Sequence, residues 1–561
     1  MRLAYPFRPC RISRTGLSVL ASVAFTLLPA PQSQAQSAVL SETVATQIPG
    51  RDLRVNPPAI ASLIITPLGG VGALEKGLLE VRFKESGLPS SLQILHEGSL
   101  KTLRDDGTGD DAAQDGVYSA LLDFELREIQ DPLVVSPLSV STDLDPEKTL
   151  FIRDASVVND PSQTSDPCMS RSSTDAKKKW TFGYLLTQIA NRTKTGRTPS
   201  DLAMFLLKQW ETERVINDDV VPARSSIRAL VINSWLEASG NTGKLAMHKA
   251  PFRLLGIVNR VGLRQNLFFG EGLAGELRFV WGVLDLDPNN QAADGSCNEF
   301  GSFTLIMEFA VDKKTPAKVK AYGTKWTDLN SMTLNSAAYR ESLQVITESV
   351  VKAGAGAVKK RANGSALIRI RSNEIQLAGP WELREFNLRK PHPTRTDVGL
   401  FFETDVKQTP DNTPVIGHNG SALFAKYVND TEAEILAGKH NVPHLFDGAR
   451  FRGGASENGG FDFWNVPGIG NNEARHLVSV NTCNGCHGAE TQTGFLHVFP
   501  RARSQRAGLS GFLTGIDVSD PVNSATVRHM PDLDRRAVDL HSLVSSPVIS
   551  QLGFQPTNRT H

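Results

Sequence analysis

Apolar positions along the chain follow two periods, and each predicts a different kind of element. FGYLLTQIANRT and SDLAMFLLKQWETERV place apolar residues three and four apart, the spacing of an amphipathic helix. Ser200 or Asp201 is the expected cap of the second helix. SIRALVINSWLEAS (226–239) and NSAAYRESLQVITESVVK (335–352) repeat the helical pattern. FRLLGIVNRVGL, GELRFVWGVLDL, SFTLIMEFAV, ALIRIRSNE and PWELREFNL are instead rich in branched and aromatic residues and predict strands. Residues 178–405 therefore read as a central α+β domain. Arg260, Glu276, Arg278 and Glu308 stand among apolar strand neighbours, where they either pair with one another or face a ligand cleft.

Upstream, ASLIITP, LLEVRFKE, SLQILHEG and GVYSALLDF alternate as strands, and Asp-Gly pairs at 106–107 and 115–116 mark turns. A small antiparallel β-sandwich is expected over 58–155. Asp105, Asp106, Asp110, Asp111 and Asp115 offer hard oxygen ligands that suit calcium, although their spacing is not that of a helix–loop–helix calcium loop. Ordinary turn acids are the alternative. Residues 156–177 are polar and read as a linker. Residues 406–471 hold a connecting helix, SALFAKYVNDTEAEILAGKH, and a Gly-rich loop. In 472–561, NEARHLVSV and LDRRAVDLHSLVSS predict two helices packed on each other. The expected fold class is thus multidomain: N-terminal β-sandwich, central α+β region, C-terminal all-α cytochrome c-like domain.

The first 35 residues have a different pattern. Arg2, Arg8, Arg11 and Arg14 precede the apolar run GLSVLASVAFTLLPA, and PQSQAQS follows with small residues at a cleavage spacing. This is the three-part pattern of a secretory signal peptide, and its apolar run is short for a membrane span. Residues 36–57 form a tail. Without the four leading Arg, 56 basic residues stand against 59 acidic ones, a balance of −3. That balance gives no reason to expect a nucleic-acid partner. A periplasmic or secreted protein with no transmembrane segment after signal cleavage is expected.

Export sets what the cysteines can do. Five Cys are too few for a disulfide-built scaffold. Cys168 and Cys297 sit alone in polar contexts and can pair in an oxidising compartment; two unpaired thiols are the alternative. Cys483, Cys486 and His487 form CNGCH, the attachment pattern of c-type haem. In that chemistry both thiols add to haem vinyl groups and His487 is the proximal iron ligand. Met530 is the provisional distal ligand, with His497, His529 and His541 as rivals. Arg501 and Arg503 could each hold a propionate. CxxC also serves zinc and thiol redox chemistry.

RHLVSVNTCNGCHGAETQTGFLHVFPR, with NRVGLR, GELRFVWG, RSNE and PWELREF, resembles an uncharacterised group of secreted bacterial proteins with one CNGCH. The double-Asp turn and DGVYS strand near residue 110 are similar to an extracellular β-sandwich module. The resemblance implies export and a cytochrome c-like domain, with no defined substrate. The function expected from motif and resemblance together is that of an exported monohaem c-type protein with one haem c per chain. It would pass single electrons to or from a redox partner protein or small donor or acceptor. A haem-dependent oxidoreductase or peroxidase-like enzyme is one alternative, and an extracellular binding protein with a structural haem is another.

Overall fold

The computed structural model describes residues 60–125 in part and residues 143–545 with short interruptions. The signal-like segment lies outside the described residues, as do Asp106, Asp110, Asp111 and Asp115 of the expected calcium cluster. Residues 60–125 contribute β1 (Ile60–Gly69), β2 (Leu74–Phe83), β3 (Ser91–His96), β4 (Ser99–Arg104) and β5 (Val117–Glu125). They form one five-stranded sheet in the order β1-β2-β5-β4-β3. β3 and β4 pair antiparallel from Ser91↔Arg104 to His96↔Ser99. β4, SLKTLR, was not expected from the sequence because its alternation is short and carries only two apolar residues.

The larger body is built on a second sheet. Its strands, with the small hairpin that precedes most of them, are β6 (Phe151–Ile152), β7 (Arg214–Ile216), β8 (Asp219–Val221), β9 (Phe252–Arg260), β10 (Glu276–Leu284), β11 (Glu299–Ala310), β12 (Leu367–Asn373), β13 (Leu383–Leu388) and β14 (Phe401–Thr404). β7 and β8 pair only with each other. The other seven run in the order β14-β13-β12-β11-β10-β9-β6. β6 lies within the expected β-sandwich but joins this sheet, with Phe151 opposite Val258 and Ile152 opposite Ile257.

The two faces of this sheet differ, and strand alternation sets the difference. Ile257, Phe279, Met307, Ile370 and Phe386 share one parity across the register and are fully buried. Helices cover this face. Phe182 of helix Phe182–Ala190 stacks on Phe252 and meets Trp281 edge-on. Helix Pro199–Lys208 begins with a capping box in which Thr198 and Asp201 bond each other's backbone. The cap is therefore Thr198 rather than Ser200 or Asp201; Pro199 at the first helical position starts the helix one residue earlier. Helix Ala337–Val351, capped by Ser336, lies inside the 335–352 window.

The opposite face carries Arg260, Glu276, Arg278, Thr304, Ile306, Glu308, Arg369, Arg371 and Asn373. The C-terminal segment covers it. Ala507, Phe512, Leu513, Val518, Met530, Leu533, Ala537, Leu540 and Leu543 belong to the same hydrophobic core as the sheet. Helix Asp532–Ser545 packs on helix Pro316–Asp328 at Gly323, where an added Cβ would lie 3.0 Å from Leu543. Arg264 grips Asp539 with two bonds of 2.6 and 2.7 Å.

The C-terminal region is not all helical. Two-stranded ladders join Val498–Phe499 to Gly508–Leu509 and Asp517–Ser519 to Val527–His529. The helix that leads into CNGCH, Asn472–Val480, does not pack on the C-terminal helix as the sequence suggested. Ala474, Leu477 and Val478 instead form a separate core with Phe424, Tyr427, Phe451 and Trp464. Their apolar stripe is visible in sequence, but the stripe does not name the surface that covers it. Residues 156–177 also do more than link. Val157 and Val158 are core residues, and Cys168 is bonded to Cys297 across 129 positions.

Candidate functional site

The CNGCH turn is held from below by buried charge. Thr482 Oγ1 accepts from Gly485 N, and Cys486 N closes the turn on Thr482 O. Gly485 has no room for a side chain, since an added Cβ would sit 2.0 Å from Ser479 O. Glu490 accepts two bonds from Arg475 and one from His476, and Arg475 reaches on to Asp520. Burial alone would raise the Glu490 carboxyl; Arg475 and His476 outweigh it and keep the acid ionised.

Above the turn, His487 Nδ1 bonds Phe495 O at 2.5 Å. Cys486 is buried and outside the Cys168–Cys297 disulfide, and its Sγ lies 3.3 Å from His497 Nε2. The other ring nitrogen of His497 bonds Ser510 Oγ at 2.8 Å. The His487 and His497 rings are 4.3 Å apart. Burial pushes His487 down to about 4, with Arg371 adding to the shift and the Phe495 carbonyl opposing it. His497 is lowered by burial and then by His487. Both rings are neutral at ordinary pH.

The two imidazoles line a cavity of about 100 Å³ between the charged sheet face and the C-terminal segment. Arg260, Arg278, Arg371 and Arg536 line it with a single acid, Asp532, and Phe151, Val280, Leu496 and Phe512 supply apolar wall. Glu308 lies behind, 3.2 Å from Arg278, 3.1 Å from Arg369 and 3.6 Å from Arg371. Burial would raise its carboxyl, but Arg278, Arg371, Arg369 and Arg260 together bring it to about 2. Arg260 itself is pushed well below the usual range by burial and by Arg278 and Arg536. Of the two readings open for Arg260, Glu276, Arg278 and Glu308, ion pairing and a cleft, the structure contains both. Arg278 bonds Glu276 at 2.7 Å and also faces the cavity.

Haem c with His487 and Met530 on its iron is corrected by this geometry. Among the described residues, two groups bring three metal-ligating side chains together: Asp166, Cys168 and Cys297, and His476, Glu490 and Asp520. Neither group contains Cys486, His487 or Met530. The cysteines that the structure joins are Cys168 and Cys297, far apart in sequence, and not neighbours in a CxxCH turn. Met530 is packed in the core and is absent from the wall of the cavity that His487 lines. That cavity is also smaller than the roughly 300 Å³ at which cofactor pockets begin.

Of the rival ligands, His497 lies beside His487, its ring 4.3 Å away, while the other two are dispersed. His529 is exposed and bonds Asp517, and His541 is exposed on the C-terminal helix. Arg501 is committed to Asn159 Oδ1 and Leu254 O, which ties the C-terminal segment to β9 and leaves no propionate role. Electron transfer, the haem-dependent enzyme and the structural-haem reading go with the haem. A five-residue spacing is a local property, whereas an iron site also needs a distant ligand to converge on it.

The chain matches no protein-family model, no curated protein and no solved structure. Among the described residues no helix is long and apolar enough to cross a membrane.

Proposed function

We propose that this is an exported protein that binds a small oxyanion, of the carboxylate or phosphate class, in the cavity over β9–β12. The observation that carries the reading is the charge of the wall: four guanidinium groups against one carboxylate, enclosed by apolar side chains. Burial first, and then the nearby Arg278 and Arg536, depress Arg260, and an anion between these groups would relieve the repulsive part. Arg is suited to the task because its planar donors match two oxygens at once. Asn373 Oδ1, buried on the same wall, has no hydrogen-bond partner among the described residues and supplies an acceptor for a ligand hydroxyl. The volume holds about three waters, which suits an acetate- or phosphate-sized anion and is too small for a nucleotide. The Cys168–Cys297 bond supports the exported reading, because such bonds persist in oxidising compartments.

Titration calorimetry and thermal melts with acetate and phosphate at constant ionic strength test this function. Saturable binding at one site per chain, lost in Arg371→Gln, is expected. A linear salt effect of equal size for every anion, unchanged in that variant, would overturn it.

A further inference from the structure

We propose a second ligand site, for a small uncharged polyol of the single-sugar class, where β9 begins and β10 ends. A cavity of about 180 Å³ lies there, between Phe252 and Trp281 of the strands and segment 164–170. It shares no lining residue with the oxyanion cavity. Trp180, Phe252, Trp281 and Leu284 give it apolar wall, and the exposed Pro161 and Met169 mark its mouth. The volume holds about six waters, room for one sugar ring and too little for a cofactor. Segment 164–170 is fixed from three sides. Cys168 is bonded to Cys297, Arg253 holds Asp166 at 2.8 Å, and Lys249 donates to Pro167 O and Ser170 O. A wall held in this way loses little freedom when a ligand enters.

The polar groups of the wall define the ligand. Its charges close on each other: Arg253 on Asp166 at 2.8 Å and Lys178 on Asp175 at 2.9 Å. The hydroxyls of Thr164 and Ser170 donate within the protein, to Asp160 O and Asp175, so their oxygens keep only acceptor capacity. Asp175 offers about four acceptor positions, of which Ser170, Lys178 and the Ser172 backbone take three. Among these acceptors stands a buried donor. The Trp281 indole N–H has no hydrogen-bond partner among the described residues, whereas that of Trp180 donates to Thr347 Oγ1 at 3.0 Å. A buried donor left unmade is costly, and a ligand oxygen would satisfy it. Acceptors around such a donor match hydroxyl groups, which donate and accept at once. An oxyanion has no proton for those acceptors and would meet Asp166 and Asp175. A cation would meet Lys178, Arg253 and Arg503.

The test is titration calorimetry on the full, oxidised chain with glucose, xylose and myo-inositol, and with acetate and glycine as charged probes. Saturable binding of at least one neutral probe, millimolar or tighter and at one site per chain, is expected. Trp281→Phe keeps a ring and removes the N–H; it should weaken that binding about 10-fold, the worth of one buried hydrogen bond. Asp175→Asn, at a partly exposed position, should weaken it as well. Arg371→Gln, which alters only the oxyanion cavity, should leave it unchanged. Failure of every neutral probe to saturate would overturn the site. So would wild-type affinity for the neutral probe in both Trp281→Phe and Asp175→Asn. Acetate or glycine binding that Trp281→Phe weakens and Arg371→Gln does not would overturn the assignment to an uncharged ligand.

Discussion

Arg475 and Glu490 meet through two parallel bonds, Nη1–Oε2 at 2.7 Å and Nη2–Oε1 at 2.8 Å, and both side chains are buried. The pair fastens the helix before the CNGCH turn to the segment after it. Breaking a buried pair from one side leaves an uncompensated charge, so Glu490→Gln should cost about 3–5 kcal/mol. Changing both, Arg475→Met with Glu490→Gln, should cost less than the sum of the single changes. Urea unfolding of the three variants measures this; strict additivity would show that the pair is not coupled.

Acid should loosen the same region. Burial alone would raise the Asp520 carboxyl, but the backbone N–H groups of Asn523 and Val522, with Arg475 and Arg528, bring it down to about 2. A carboxyl lowered by folding contributes its full stability above its unfolded value of 3.8 and loses it as pH falls toward 2. Glu308 acts in the same sense from 4.5 to about 2. The melting temperature should therefore fall between about pH 4.5 and 2. Asp520→Asn should be less stable at pH 6 and should lose less on acidification. An equal acid loss in that variant would remove Asp520 from the account.

The Cys168–Cys297 bond closes a span of 129 residues and holds Cys297 beside Arg253, which donates to Cys297 O and to Asp166. Reduction, or the double change Cys168→Ser with Cys297→Ser, should lower stability by roughly 2–5 kcal/mol. A reductant should shift the melt of the wild-type chain and leave that of the double variant in place.

Gly485→Ala addresses the turn itself. The clash would be with backbone, Ser479 O at 2.0 Å, so relief requires moving the chain and not merely rotating a side chain. A loss of about 1–3 kcal/mol or more is expected by chemical denaturation. An unchanged midpoint would mean that the turn is not held as tightly as this contact implies.

The regular elements of the body were largely legible. The windows 472–480 and 533–546 match helices Asn472–Val480 and Asp532–Ser545 to within a residue, because an apolar stripe at helical spacing is a local property. What covers each stripe is not local. Nothing in NEARHLVSV pointed to Trp464 and Phe424, and nothing in FIRD placed β6 beside β9. The charges inside the strands carried a usable signal, since Arg278 and Glu308 share a parity and pair across β10 and β11. The cavity they help to line needed the cover from 496–513, which no spacing reveals. CNGCH drew attention to the correct stretch and to the wrong chemistry. Its His487 lines that cavity beside His497, ten positions on and across a turn.

The C-terminal segment is the lid on a charged floor, which sets how a damaged molecule behaves. If a protease clips the chain near residue 500 and the tail peels away, much of the surface laid bare is ionised guanidinium and carboxylate. Water accepts those groups readily, while the greasy side of the sheet stays under its helices. The departing tail, however, would carry Phe512, Leu513, Leu533, Leu540 and Leu543 out of the shared core into water, so it is the severed piece, and not the floor it leaves, that should make a nicked copy clump.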